Sequence, residues 1–227
     1  MTRRLLAALV VSALVRPAAA AGLLADGGAW AKLTVDDAPA ADFAFGNGGT
    51  LRVEADGAVA FLYRSVNAAP AGIAWAWRVD EGIAATDPTA KGKDDRPIAL
   101  HLWFDTGDRD KTLYGDLARL MGYPTVTHGI TYVWGATRPE GSMVTNPYYE
   151  RGRVLVLRKS AGASQGWVRE RRDIAADLVR AFPNAAIAPG DLAYVVVSAD
   201  TDDQGGRSRA RIRNLGLARD GGAPGQD

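Results

Sequence analysis

The sequence predicts an all-β fold, a jelly-roll-like antiparallel β-sandwich with one or two short helices. Oily residues recur with period two, as in Ile73, Trp75, Trp77 and Val79, which places them on one face of a strand. About ten such segments follow one another, separated by turn signals at the spacing of a sandwich. No repeat, heptad or composition shift marks a second domain. Hydrophobic residues make up 47% of the 227, enough for a real core.

The first 20 residues have the anatomy of a secretory signal. Arg3 and Arg4 form a positive start, Leu5 to Val15 an apolar run, and Ala18-Ala19-Ala20 a small-residue cleavage site. The run of 11 residues is short for a membrane span, which takes about 20. The expected organisation is a signal at 1–20, a sandwich over 21–219 and a disordered Gly/Pro-rich tail over 220–227. Loss of Arg3, Arg4 and Arg16 leaves 24 cations against 26 anions, a formal charge of −2. That balance gives no basic face for nucleic acid. Cysteine is absent, which excludes a disulfide framework and thiol chemistry. The expected location is periplasmic or secreted, with no stable membrane anchor after signal removal.

Strands are predicted at Ala29–Val35, Leu51–Ala55 and Val59–Arg64. Asn47-Gly48-Gly49 is a turn signal, and Asp56-Gly57 is favoured in tight hairpins. The central pair is next. Ile73, Trp75, Trp77 and Val79 share one face of its first strand. In the second, Leu100, Leu102 and Phe104 share a face, with His101 and Trp103 opposite. The long polar loop Asp80 to Pro97 joins them, and such loops often carry function. Helical spacing of Leu113, Leu117, Leu120 and Met121 predicts a helix over residues 110–121. Strands resume at Gly129–Gly135, Arg153–Leu157 and Trp167–Arg172. Asp173 then opens a short helix, Ile174–Phe182, ended by Pro183. The apolar Leu192–Ser198 is a central strand, and Arg209–Leu217 is the last.

Several elements, in order, resemble the bacterial family catalogued as domain of unknown function 3047. They are Trp75-Ala76-Trp77-Arg78-Val79, the Lys91-Gly92-Lys93-Asp94-Asp95 loop and the strand ending Phe104-Asp105. Then come Ile130-Thr131-Tyr132-Val133-Trp134-Gly135, Asn146-Pro147, Trp167 through Glu170-Arg171-Arg172-Asp173-Ile174 to Asp177, and Ser198-Ala199-Asp200-Thr201-Asp202. The resemblance covers roughly residues 30–217. It implies an exported β-sandwich, similar in outline to jelly-roll carbohydrate-binding modules. One departure is Asp203-Gln204-Gly205 after Asp202, where the family has Asp-Asn-Thr-Gly.

Each candidate site has two readings. Trp75 and Trp77 could form a platform for sugar rings, but Ile73 and Val79 on the same face favour a core. Lys91, Lys93, Asp94 and Asp95 are either a ligand-binding cluster or a solvated turn. Asp200, Asp202, Gln204 and Gly205 resemble the first half of a calcium loop. Arg211 stands where the twelfth-position acid belongs, so this is no EF-hand, though a sandwich-borne calcium site stays open. His101 and His128 are the two histidines, without zinc spacing. Ser142 lies in no G-x-S-x-G elbow. Arg169, Arg171 and Trp167 form either a clamp for an anionic sugar or a wet outer face of an edge strand.

The expected function is an exported, non-catalytic binding module for a glycan or related polar ligand. Its expected ligand residues are Asp94, Asp95, Tyr132, Trp134, Asn146 and Arg171, with Asp200 and Asp202 holding calcium. Two alternatives stand beside it: an enzyme acting on cell-envelope glycan through paired carboxylates, and a structural or interaction protein.

Overall fold

The computed structural model describes residues 22–107, 124–159 and 162–218. The expected signal, the tail and the helix over 110–121 lie outside these residues. The described residues form twelve strands: β1 (Ala31–Thr34), β2 (Asp42–Gly46), β3 (Thr50–Asp56), β4 (Val59–Ser65), β5 (Gly72–Glu81) and β6 (Arg96–Phe104). After them come β7 (His128–Trp134), β8 (Met143–Thr145), β9 (Gly152–Arg158), β10 (Val168–Asp173), β11 (Leu192–Asp200) and β12 (Arg207–Ala218). One sheet has seven strands in the order β1-β4-β11-β6-β7-β9-β8; the other has five, in the order β10-β5-β12-β3-β2. The fold is thus the all-β sandwich that the alternation predicts. The apolar strand Leu192–Asp200 is flanked by β4 and β6, as its composition requires.

The pairing departs from expectation in three places. Asp56-Gly57 makes no hairpin, because β3 and β4 belong to different sheets. Gly57 takes a φ of 53° and turns the chain across the sandwich. The central pair, β5 and β6, likewise splits between the two sheets. Finally, β7 and β9 run parallel, whereas the other ladders between named strands are antiparallel. Strands β2 and β8 add to the expected set.

The core lies between the sheets. Leu51 and Val53 of β3, Ile73, Trp75, Trp77 and Val79 of β5, and Ala210 and Ile212 of β12 meet Ile98, Leu100, Leu102, Val195 and Val197 from the facing sheet. Rings knit the two layers together. Trp75 and Trp77 sit 5.3 Å apart, Trp75 lies 5.4 Å from Tyr132, and Trp77 lies 5.6 Å from Trp134. Such pairs add about 0.5–1.5 kcal/mol each beyond their burial. Trp75 and Trp77 are therefore core residues and not a sugar platform.

Helix α1 (Ile174–Ala181) packs beside β10 and β5. The Asp173 carboxylate caps it by accepting the Ala176 N–H at 2.9 Å. Ile174, Leu178 and Ala181 turn inward. Asp177 is buried with them, where it accepts the Tyr132 hydroxyl at 2.8 Å and pairs with Arg172. Among the described residues no helix is long and apolar enough to cross a membrane.

Candidate ligand cavity and its carboxylate rim

The period-two rule fixes what lies on the outer face of the seven-stranded sheet. Once Leu100, Leu102, Ile130, Tyr132, Val195 and Val197 turn inward, Phe61, His101, Trp103, Thr131 and Ser198 must turn outward. That face carries a cavity of about 390 Å³. Phe61, His101, Trp103 and Thr131 are part of its lining. The Phe61 ring lies 5.5 Å from His101 and 5.9 Å from Trp103.

His101 is locked in place. Its Nε2 lies 2.7 Å from Ser198 Oγ and its Nδ1 2.9 Å from Thr131 Oγ1. Burial, with the Arg96 charge, holds its pKa well below the ordinary histidine value. The ring is neutral at pH 7 and serves as a polar part of the floor.

Strand ends and loops build the rim. The start of β6 and the residues before it bring Asp94 and Arg96; the end of β11 and the loop after it bring Asp200, Asp202 and Asp203; the turn after β8 brings Asn146, Tyr148 and Tyr149. Arg96 is the hub. Its Nη1 donates to Asp94 Oδ2 at 2.9 Å, and its Nη2 meets Asp200 Oδ2 at 3.0 Å. Burial works against the Arg96 charge, but Asp200 and Asp94 outweigh it and raise its pKa. The Tyr148 hydroxyl accepts the Gly92 N–H at 2.8 Å and donates to Asp94 Oδ1 at 3.1 Å. Burial and Asp94 push that hydroxyl up to about 12, against the Gly92 N–H. Asn146 Oδ1 accepts the Tyr148 N–H at 2.8 Å and shapes the turn. Gly152 is obligatory beneath that turn, because a Cβ there would meet Asn146 Cβ at 2.7 Å.

Asp95 stands just behind the rim, fully buried. It accepts the Asp203 N–H at 3.2 Å and the Gln204 N–H at 2.9 Å, tying the β11–β12 loop to the start of β6. Burial pushes the Asp200 carboxyl up; Arg96 opposes this, and Asp202 and Asp94 add to it, leaving a pKa of about 8. Burial, Asp202, Asp94 and Asp95 also raise Asp203.

The structure thus brings together five of the eight expected site residues: Asp94, Asp95, Asn146, Asp200 and Asp202. Three others lie elsewhere. Tyr132 and Trp134 point between the sheets, in phase with Ile130, and are buried against Trp75 and Trp77. Arg171 is exposed on the outer face of the five-stranded sheet, on edge strand β10. The sequence reading did not single out Phe61, Arg96, Tyr148 or Asp203. Arg96 had a signal, a lone cation opening an otherwise apolar strand. Tyr148 had none, since the turn that aims it depends on Gly152 from the next strand.

A family model described as protein of unknown function (DUF3047) matches residues 29–216. The chain belongs to this family. All the rim residues of the DUF3047 chain fall inside the matched span. No curated protein matches the sequence. Among solved structures, the chain is similar to the xyloglucanase domain of NopAA from Sinorhizobium fredii, in complex with cellobiose. Identity is 8%, coverage 83% of this chain and 97% of that one, and TM-score 0.46. It is similar to the catalytic domain of Humicola grisea Cel12A in complex with a thio cellotetraose, at 12% identity, 84% and 93% coverage and TM-score 0.46. It is also similar to a family 11 carbohydrate-binding module from Clostridium thermocellum in complex with a β-1,3-1,4-mixed-linked tetrasaccharide. There identity is 8%, coverage 84% and 91%, and TM-score 0.37. Likenesses this distant assign no ligand to the DUF3047 chain.

Proposed function

We propose that this chain is an exported, non-catalytic module that binds a glycan in the cavity on the outer face of its seven-stranded sheet. One observation carries the reading. A cavity of about 390 Å³ combines aromatic rings, Phe61, Trp103, Tyr148 and Tyr149, with the acceptor groups Asp94, Asp200 and Asp202. Sugars present apolar C–H faces and hydroxyl donors together, and this lining offers a partner to each. The volume lies in the range of about 300–1,000 Å³ typical of small-ligand sites. Export is supported by residues 1–20, whose charge, apolar run and small-residue end suit a cleaved secretory signal.

The non-catalytic reading is tested directly against glycoside cleavage, because Asp94, Asp200, Asp202 and Asp203 share the cavity. The test is calorimetry of the mature chain against a panel of soluble oligosaccharides, with reducing ends assayed in parallel. Tyr148 is the residue to change, because it is 54% exposed and its loss spares the core. The expected result is saturable binding that Tyr148→Ala weakens by about tenfold, or about 1.4 kcal/mol. No binding across the panel, or binding indifferent to Tyr148→Ala, overturns the proposal. Release of new reducing ends replaces it with the enzyme reading.

A further inference from the structure

We propose that Asp95, Asp200 and Asp202 hold one hard divalent cation of the calcium class at the edge of the cavity. Their convergent oxygens lie within 4.8 Å of one another. Calcium–oxygen bonds run about 2.3–2.6 Å, so oxygens on opposite sides of one ion stand about 4.6–5.2 Å apart. Three such oxygens lie within about 2.8 Å of a common point, so one ion reaches all three with small side-chain shifts.

Asp200 supplies a second, independent reason. It is 8% exposed, and its Oδ2 is taken by Arg96 at 3.0 Å. Its Oδ1 is sealed from solvent and has no hydrogen-bond donor. Within 4.8 Å of this carboxylate stands another acceptor, the Asp202 carboxylate. A buried acceptor facing a second carboxylate needs a positive charge or a proton between them. Arg96 is already engaged by Asp94 and by the other Asp200 oxygen. The ammonium of Lys91 is held over the Tyr148 ring at 5.6 Å.

The donor chemistry sets the class of ion. Carboxylate oxygens without histidine or cysteine suit a hard cation, not zinc. Magnesium demands near-ideal octahedral geometry and keeps its waters, whereas calcium tolerates an irregular oxygen set. Both Asp95 oxygens accept backbone N–H groups, yet each carboxylate oxygen has a second lone pair to give. An ion here pins the Asp200–Gly206 loop to the start of β6. Asp200 and Asp202 line the cavity, so its remaining coordination positions face the cavity, where water or a ligand hydroxyl completes them.

The test uses the mature chain, stripped with chelator, dialysed and titrated with calcium chloride or magnesium chloride in the absence of glycan. Its result is thus separate from any result on glycan binding. The expected outcome is one calcium per chain, a Kd of about 1 mM or tighter, and a melting temperature that rises with calcium. Asp202→Asn should weaken calcium at least about tenfold, since it removes one of three charged ligands. Asp202 is exposed, so this variant keeps the fold, which a melt without calcium verifies. Asp42→Asn, a change on the remote strand β2, should bind like the parent. Absence of both heat and a melting shift at about 10 mM calcium, well above the expected Kd, overturns the proposal. So does undiminished binding by Asp202→Asn, and so does tighter binding of magnesium than of calcium.

Discussion

The two outer faces of the sandwich are both rich in charge, and they use it in opposite ways. On the five-stranded sheet the acids are matched by arginines, from half-buried Asp80 to exposed Arg52. Arg52 meets Glu54 at 3.3 Å, Arg78 and Arg211 meet Asp80 at 2.7 and 2.6 Å, and Arg209 meets Glu81 at 2.9 Å. The Arg213 guanidinium rests over the Trp167 ring at 4.1 Å. On the seven-stranded sheet Asp94, Asp95 and Asp200 gather around one guanidinium, that of Arg96, with Asp202 and Asp203 lining the same ring-floored cavity. Matched exposed charges are a solvated surface. Unmatched charges at a buried rim are costly to maintain without a partner, and that imbalance marks the site.

Substitutions on each face sharpen this contrast. The largest effect is expected for Asp95→Ala, which strips the acceptor from two backbone N–H groups at a fully buried carboxylate. The expected loss is roughly 3 kcal/mol, seen as a melting temperature lower by roughly 6–12 °C in chelator. A loss under about 1 kcal/mol would make the two faces energetically alike.

Next is a pH effect from His101. Burial, with Arg96, depresses its folded pKa well below its unfolded value of about 6.5. Below that pH the unfolded chain takes a proton that the folded chain refuses, so stability is present above about 6.5 and falls as pH falls. The expected slope is up to about 1.4 kcal/mol per pH unit. Denaturant melts from pH 7 to 5 should lose that component in His101→Gln; parallel curves for parent and variant would contradict it.

Tyr132→Phe removes one hydroxyl from Asp177, which keeps Arg172. About 1 kcal/mol should be lost in chemical denaturation, because a buried acceptor keeps a charged partner. The smallest effect is expected on the arginine face. Arg211 is 43% exposed, so Arg211→Ala should cost well under about 1 kcal/mol, despite the short contact with Asp80. A larger loss in the melt would show that this face, too, carries buried electrostatics.

Much of the sandwich was legible because alternation is a backbone property. Strands from Ala31 to Ala218 appear where period two runs, and Asp173 and Pro183 bracket α1. Partner choice was less legible. Asp56-Gly57 specifies a tight turn, but whether the chain pairs back or crosses to the other sheet is decided by packing around it. Strand β2 is a short edge whose one signal is Phe43 and Phe45 two apart, and β8 is three residues long.

At the site, the acids of the Lys91–Asp95 and Asp200–Asp203 loops were readable as dense charge beside apolar strands. The aromatic partners were not. Every residue of β7 is buried, so periodicity divides its faces without telling which one meets the other sheet. Tyr132 and Trp134 were expected at the ligand and lie in the core. Alternation sets Trp103 and His101 on the face of their strand opposite Leu100, Leu102 and Phe104, and that face is the cavity floor.

The most direct test is a two-dimensional amide NMR titration of the mature chain with the tightest glycan of the panel. The account predicts saturable shifts at His101, Trp103, Tyr148 and Asp202, with Arg169 and Arg171 unmoved. Shifts centred on Trp167, Arg169 and Arg171, or none at saturation, would contradict it.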